Sequence, residues 1–143
     1  MSKLKKNEPV KSFMVSSPTT INEKTSFSEA AKLILEDGLN HLPVVSGSKL
    51  VGMFSNTDLM RVDFASSFGG DQKQSLATLD SSKTILEVCS KKPETIGERD
   101  TAQDAARKIV HGNFHALPVV DDENNLIGMV TTTDLIKFLG DIG

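Results

Sequence analysis

The sequence predicts a mixed α/β (α+β) fold built from two β-α-β-β-α repeats, and three observations carry that prediction. Residues 18–60 and 93–136 can be laid over each other with one extra residue in the second copy. Each copy holds one apolar stripe at helical spacing. Each stripe is followed by two short apolar runs, rich in β-branched residues and joined by a polar turn, which read as an antiparallel hairpin. Two copies are too few for an open solenoid. The natural arrangement is two halves packed on each other with pseudo-two-fold symmetry, leaving equivalent clefts between them.

In chain order, residues 1–8 read as a flexible, solvated N-terminal tail, basic but without the apolar segment of a signal peptide. Residues 9–66 form repeat 1, 67–83 a linker, and 84–143 repeat 2, the two repeats making one module. Val10, Phe13, Met14 and Val15 form a short amphipathic lead-in, and Ile85, Leu86, Val88 and Cys89 hold the matching place before the second copy. Pro18 and Pro93 follow, each leading into an extended piece, Thr20-Ile21 and Thr95-Ile96. Phe27, Ala30, Ala31, Ile34 and Leu35 then stand at i, i+3, i+4, i+7 and i+8, one face of a helix. Ala102, Ala105, Ala106, Ile109 and Val110 repeat that face. Ser26 with Glu29, and Thr101 with Asp104, resemble capping boxes, Asp being the poorer third-position partner. Gly38 and Gly112 are plausible stops.

The hairpins follow at 42–45 with 50–54, and at 117–120 with 126–130. A second helix is expected after Asp58 and after Asp134. Leu135, Ile136, Phe138 and Leu139 mark it strongly in the second copy, whereas Leu59, Met60 and Val62 mark a briefer one in the first. Residues 66–71 read as a loop, and the length of this connection as slack rather than a lid.

Bulk properties narrow the function. A unit of about 60 residues buries too little surface to be secure alone, so the copies are expected to share one core. The net charge of −3, the absence of Trp and Tyr, and only seven Phe argue against a nucleic-acid partner. No apolar run approaches the roughly 18–20 residues of a membrane span. The single cysteine, Cys89, has no internal disulfide partner, which fits a cytoplasmic protein.

The chemistry lies in Gly-Met-x-Ser/Thr-x-Thr-Asp at 52–58 and 128–134, where a strand runs into a helix. A helix start offers unpaired N–H groups to an anion. Ser55, Thr57, Thr131 and Thr133 add hydroxyl donors, and Asp58 and Asp134 add acceptors suited to vicinal ribose hydroxyls. The same residues are also ordinary N-caps, and duplication copies caps as faithfully as sites. Gly52 and Gly128 allow close approach of a ligand or of another chain. Arg61 and Lys137, three residues after each Asp, either reach an anionic ligand or are exposed helix-face cations. The methionines read as packing residues.

Two ordered copies of Pro-x-Thr-Ile, an Ala-Ala helix, Leu-Pro-Val-Val and Gly-Met-x-Ser/Thr-x-Thr-Asp-Leu resemble a tandem pair of cystathionine beta-synthase (CBS) domains, from about residue 8 to 140. The resemblance implies two repeats packed sheet to sheet, a homodimer of modules, and adenosine-containing ligands such as AMP, ADP, ATP or S-adenosylmethionine in clefts between the repeats. It implies ribose contacts from Asp58 and Asp134, and phosphate or ribose contacts from Ser55 and Thr131. Adenine would meet the backbone near Ile21 and Ile96. The implied ligand set further takes in Thr20, Pro43, Thr57 and Arg61 in the first copy. In the second it takes in Thr95, Pro118, Thr133 and Lys137. His115 resembles a phosphate-contacting position in nucleotide-sensing kinase subunits; it is otherwise a structural or surface histidine. His41 reads as a packing residue and His111 as a surface one.

No phosphate-loop, dinucleotide, metal-protease or nucleophile-elbow motif is present, so catalysis is not expected, and no cofactor or metal is required. Two readings remain. The chain is a stand-alone sensor whose ligand state is read by an unidentified protein partner, which requires the ligand to bind two arrangements with different affinity. Alternatively, it is a dimerisation scaffold with no physiological nucleotide.

Overall fold

The computed structural model describes residues 3–66, 84–112 and 114–140. In chain order these form α1 (Lys3–Lys6), a 3-10 turn (Val10–Ser12), β1 (Val15–Ser16), β2 (Ile21–Asn22), α2 (Phe27–Leu35), β3 (His41–Ser46), β4 (Lys49–Ser55) and α3 (Asn56–Ser66). After the linker assigned to 67–83, which lies outside the described residues, come α4 (Ile85–Val88), β5 (Ser90–Lys91), β6 (Ile96–Gly97) and α5 (Ala102–Gly112). The chain ends with β7 (Ala116–Val120), β8 (Leu126–Thr131) and α6 (Thr132–Gly140). Each repeat is therefore β-α-β-β-α, as its periodicity predicts.

The compact units cut the chain differently from the sequence repeats. One unit is Thr19–Lys92, and the other joins Met1–Pro18 to Pro93–Gly143. Each lead-in packs on the opposite repeat. In the Thr19–Lys92 unit the sheet order is β2-β3-β4-β5, and in the other it is β1-β8-β7-β6. The first extended strand runs parallel to the hairpin, with Ile21 opposite Val44 and Ile96 opposite Val119. The exchanged lead-in strand closes the far edge antiparallel, placing Lys91 opposite Gly52 and Ser16 opposite Gly128. Both hairpins carry a register shift at the Val-Val step, between Val44 and Val45 and between Val119 and Val120.

Apolar burial holds the exchange in place. Ile85 lies fully buried among Ile21, Phe27, Leu42 and Phe54, while Val10 lies fully buried among Ile96, Ala105, Leu117 and Val130. Full burial of one such side chain is worth about 2 kcal/mol. Phe13 stacks on Phe138 at 4.3 Å between centroids. The two crossings share a backbone device: Ser17 (φ 52°) and Lys92 (φ 54°) take the left-handed conformation immediately before Pro18 and Pro93.

Four expectations are revised. Residues 3–8 are not a solvated tail: Lys3–Lys6 is helical, the Lys5 ammonium donates to the Phe138 carbonyl at 3.0 Å, and the Glu8 carbonyl accepts from Ala102 N–H at 2.9 Å. The second helices begin at Asn56 and Thr132, so Asp58 and Asp134 sit inside the first turn rather than before it. The first of these helices is the longer, reaching Ser66, where the sequence suggested a loop. The room at Gly52 and Gly128 is used by the chain itself. A Cβ on Gly52 would stand 2.7 Å from the Cys89 Sγ, and one on Gly128 would meet the Met14 thioether and stand 3.0 Å from the Val15 carbonyl.

Candidate functional site

Both strand-to-helix corners are reciprocal capping boxes. In the first, the Ser55 N–H donates to Asp58 Oδ2 at 2.9 Å, and the Asp58 N–H donates to Ser55 Oγ at 3.3 Å. In the second, the Thr131 N–H donates to Asp134 Oδ2 at 3.0 Å, and the Asp134 N–H donates to Thr131 Oγ1 at 3.1 Å. Two orphan donors of each helix start are thereby satisfied. Each corner is also tied to the start of its hairpin. Asn56 N–H donates to the Asn40 carbonyl at 3.0 Å, and Thr132 N–H to the His115 carbonyl at 2.9 Å. Thr132 adds a hydroxyl bond to that same His115 carbonyl at 3.2 Å.

Capping and ligand recognition are compatible only where groups remain after the box closes. In the first corner few remain. Asp58 is 3% exposed, and its Oδ2 takes a second bond from the Ser55 hydroxyl at 3.2 Å. Its Oδ1 faces Arg61 Nη1 at 3.5 Å. Carboxylate and hydroxyl proton are thus spent on each other, while the 69% exposed Arg61 side chain keeps its other donors in solvent. In the second corner Asp134 is half-buried. Among the described residues its Oδ1, the Thr131 hydroxyl proton and the Lys137 ammonium have no partner. These are the acceptor, donor and cation that a ribose or phosphate needs.

The other expected residues distribute unevenly. Ile21 and Ile96 bury their side chains in the core, leaving backbone for contact. Pro43 and Pro118 are fully buried in mid-strand, opposite Met53 and Met129, which takes their rings out of reach of a ligand. Thr20, Thr57, Thr133, His115 and Lys137 are exposed. Thr95 is half-buried, and its carbonyl accepts from the Lys108 ammonium at 2.7 Å. Cys89 is buried; burial pushes its thiol up, and the Asp58 carboxylate adds to this. It is a packing residue, not a nucleophile. Among the described residues no cluster of His, Cys, Asp and Glu could hold a metal, and no helix is long and apolar enough to cross a membrane.

The family model described as "CBS domain" matches residues 10–64 and 85–141. The chain belongs to the CBS domain family. Its fold matches the CBS-pair protein CBSX2 of Arabidopsis thaliana, solved in complex with AMP, with a TM-score of 0.78 at 28% identity, covering 94% of this chain and 98% of that one. It also matches the CBS domain pair of protein MJ0100, solved with 5-methylthioadenosine and S-adenosyl-L-methionine, with a TM-score of 0.73 at 29% identity and the same coverages. Among curated sequences it is 30% identical over 132 residues to an L-aspartate semialdehyde sulfurtransferase of Methanocaldococcus jannaschii, covering 92% of this chain. It spans only 23% of the length of that relative and of the next two matched. In those larger proteins the CBS pair is one part.

Every corner residue of this CBS pair is legible in the sequence motif, but what sets the two corners apart is not. The full consumption of Ser55 has no counterpart at Thr131. Phe114, Arg107 and Lys108 line a groove of about 360 Å³ with Glu94, His111 and Gly112. Its signal was in the alignment: Arg107, Lys108, His111 and Phe114 stand where the first repeat has Lys32, Leu33, Glu36 and Leu39.

Proposed function

We propose that this chain is a regulatory CBS pair that binds an adenosine-containing ligand at the strand-to-helix corner of its second repeat and passes the occupancy to a protein partner. The observation that carries this reading is the Thr131–Asp134 box, which caps its helix and still leaves a carboxylate oxygen, a hydroxyl proton and the Lys137 ammonium available. The ligand class follows the AMP, methylthioadenosine and S-adenosylmethionine bound by CBS pairs of 28–29% identity. Asp134 holds the ribose, Thr131 and Lys137 the 5′ side, and the backbone at Ile96 the adenine. The chain does no catalysis itself; its role matches that of a regulatory part within larger proteins. Its buried Cys89 suits a reducing, cytoplasmic setting.

Each repeat turns large apolar side chains to solvent from its helices, Leu35 and Met60 in the first, Val110 and Ile136 in the second. Val110 is 76% and Ile136 58% exposed, which supports a homodimer formed through these helices. Native mass spectrometry reports subunit number and retained nucleotide together. Calorimetry with AMP, 5′-methylthioadenosine and S-adenosylmethionine then tests the corner. Asp134→Ala is expected to weaken the tightest ligand at least tenfold, and unchanged affinity overturns the ribose assignment. Absence of binding below millimolar concentration, with a dimer present, leaves the scaffold reading.

A further inference from the structure

The groove at the C-terminal end of α5 has a charge character that the matching segment of the first repeat lacks. Arg107 and His111 stand four residues apart on one face of α5. The remaining basic side chain, Lys108, is committed: its ammonium pairs with Glu94 at 2.9 Å and donates to the Thr95 carbonyl at 2.7 Å. Arg107 and His111 make no hydrogen bond or ion pair among the described residues, and both are exposed. Asp104, one turn before Arg107, acts on that guanidinium electrostatically without a hydrogen bond to it. Its Oδ2 already accepts from the Thr101 N–H at 2.9 Å.

The groove is joined to the corner through the chain. The Phe114 ring lies over Gly112, where any Cβ would run into it, so a side chain at 112 would displace the aromatic wall. Phe114 leads directly to His115, whose carbonyl holds both bonds from Thr132. In the first repeat the equivalent positions are Lys32, Leu33, Glu36, Asp37 and Leu39. Two carboxylates stand there in place of His111 and Gly112. The C-terminal end of α5 disfavours an anion by about half an elementary charge, which one full guanidinium outweighs.

We infer that the second corner selects a phosphate-bearing ligand over an uncharged or sulfonium-bearing nucleoside, with Arg107 and His111 as the residues that set the choice. The inference rests on the adenosine reading of that corner and decides within its ligand class. A phosphate meets two side chains in the groove that make no hydrogen bond among the described residues, Arg107 having the Asp104 carboxylate as its electrostatic neighbour, and an uncharged nucleoside leaves them unused. A sulfonium is repelled by the Arg107 guanidinium. Both groove side chains are solvent-facing, so the pairing is screened and the expected preference is about tenfold rather than thousands.

The experiment is calorimetry on the full chain with AMP, adenosine, S-adenosylmethionine and pyrophosphate, repeated on the Arg107→Gln/His111→Gln double variant. The expected result is AMP binding about tenfold or more tighter than adenosine. In the double variant that gap collapses while adenosine affinity stays the same. Equal affinity for AMP and adenosine in the natural chain overturns the inference, as does a gap that survives the double substitution or S-adenosylmethionine binding as tightly as AMP. If no nucleoside binds, pyrophosphate separates the two failures. Pyrophosphate binding lost in the double variant keeps the groove as an anion site and removes the adenosine reading; no pyrophosphate binding removes both. Thermal melts of the variant show whether its fold is intact, and Arg107→Lys is expected to restore part of the gap.

Discussion

The two corners are built on the same backbone plan, a strand ending in a hydroxyl residue that caps a helix with an Asp at its third position. They diverge in what is left over. Asp58 is buried and holds Ser55 N–H, the Ser55 hydroxyl and Arg61, so its charge is consumed in the fold. Asp134 is half-buried and holds Thr131 N–H, with its second oxygen uncommitted among the described residues. Duplication supplied two copies of one capping device. Burial and one neighbouring arginine occupy the carboxylate of the first copy, while the second keeps one carboxylate oxygen unpaired among the described residues. A repeated motif is therefore weak evidence for repeated function until its donors and acceptors are counted.

The strongest way to break this comparison is to remove each Asp and read stability and binding separately. Asp58→Ala strands the Ser55 N–H and the helix start, and is expected to cost about 2 kcal/mol in urea unfolding. Any effect on ligand affinity should be small. Asp134→Ala should cost about 1 kcal/mol, the ordinary loss of a cap, and most of the binding. If Asp58→Ala loses binding and keeps stability, the roles assigned to the two corners are reversed.

The lead-in edges offer a second contrast. Gly52 faces Cys89, the residue just before the inserted strand, a short side chain with no room to retreat, whereas Gly128 faces the flexible end of Met14. Gly52→Ala is expected to cost about 2 kcal/mol by overpacking. The Cys89→Ala background should return about half of that, since the Ser90 carbonyl still stands 3.1 Å from the new Cβ. Strict additivity in the double-mutant cycle would mean that the thiol is not what the glycine accommodates.

Much of this molecule was legible in the sequence. The stripe from Phe27 to Leu35 and the paired Leu-Pro-Val-Val hairpins appear where their periods place them. The exchange of lead-ins was not legible. A two-residue strand such as Ser90–Lys91 carries no local signal for its partner, and the choice is made by where Ile85 and Cys89 find apolar surface. For the same reason Gly52 and Gly128 looked like openings for a ligand when they are seats for the chain's own edge strands. The helices start three residues earlier than the sequence suggests because Asp is itself a good cap. Here the hydroxyls of Ser55 and Thr131 take that position, and the Asp closes the box from within the first turn.

The smallest contrast concerns the other pair of caps. On α2 the Ser26 Oγ accepts from Glu29 N–H at 3.1 Å, and among the described residues that is the one limb of the box made. On α5 both limbs close, with Thr101 N–H on Asp104 Oδ2 at 2.9 Å and Asp104 N–H on Thr101 Oγ1 at 3.2 Å, although Asp is the shorter partner. The Thr101 backbone N–H, then its hydroxyl, hold the Asp104 carboxyl below its ordinary value. A carboxyl depressed in the folded state favours the fold when ionised. That contribution is whole above the unfolded value of about 3.9 and is lost as pH falls below it through the folded value. Asp104→Asn is therefore expected to cost about 1 kcal/mol or less at neutral pH and to lose less stability than the natural chain between neutral pH and pH 3. Glu29→Gln, which removes no bond that the box makes, should leave that acid limb as it is. Urea midpoints at both pH values decide it: an Asp104→Asn protein that destabilises in acid as steeply as the natural chain would place the acid sensitivity elsewhere.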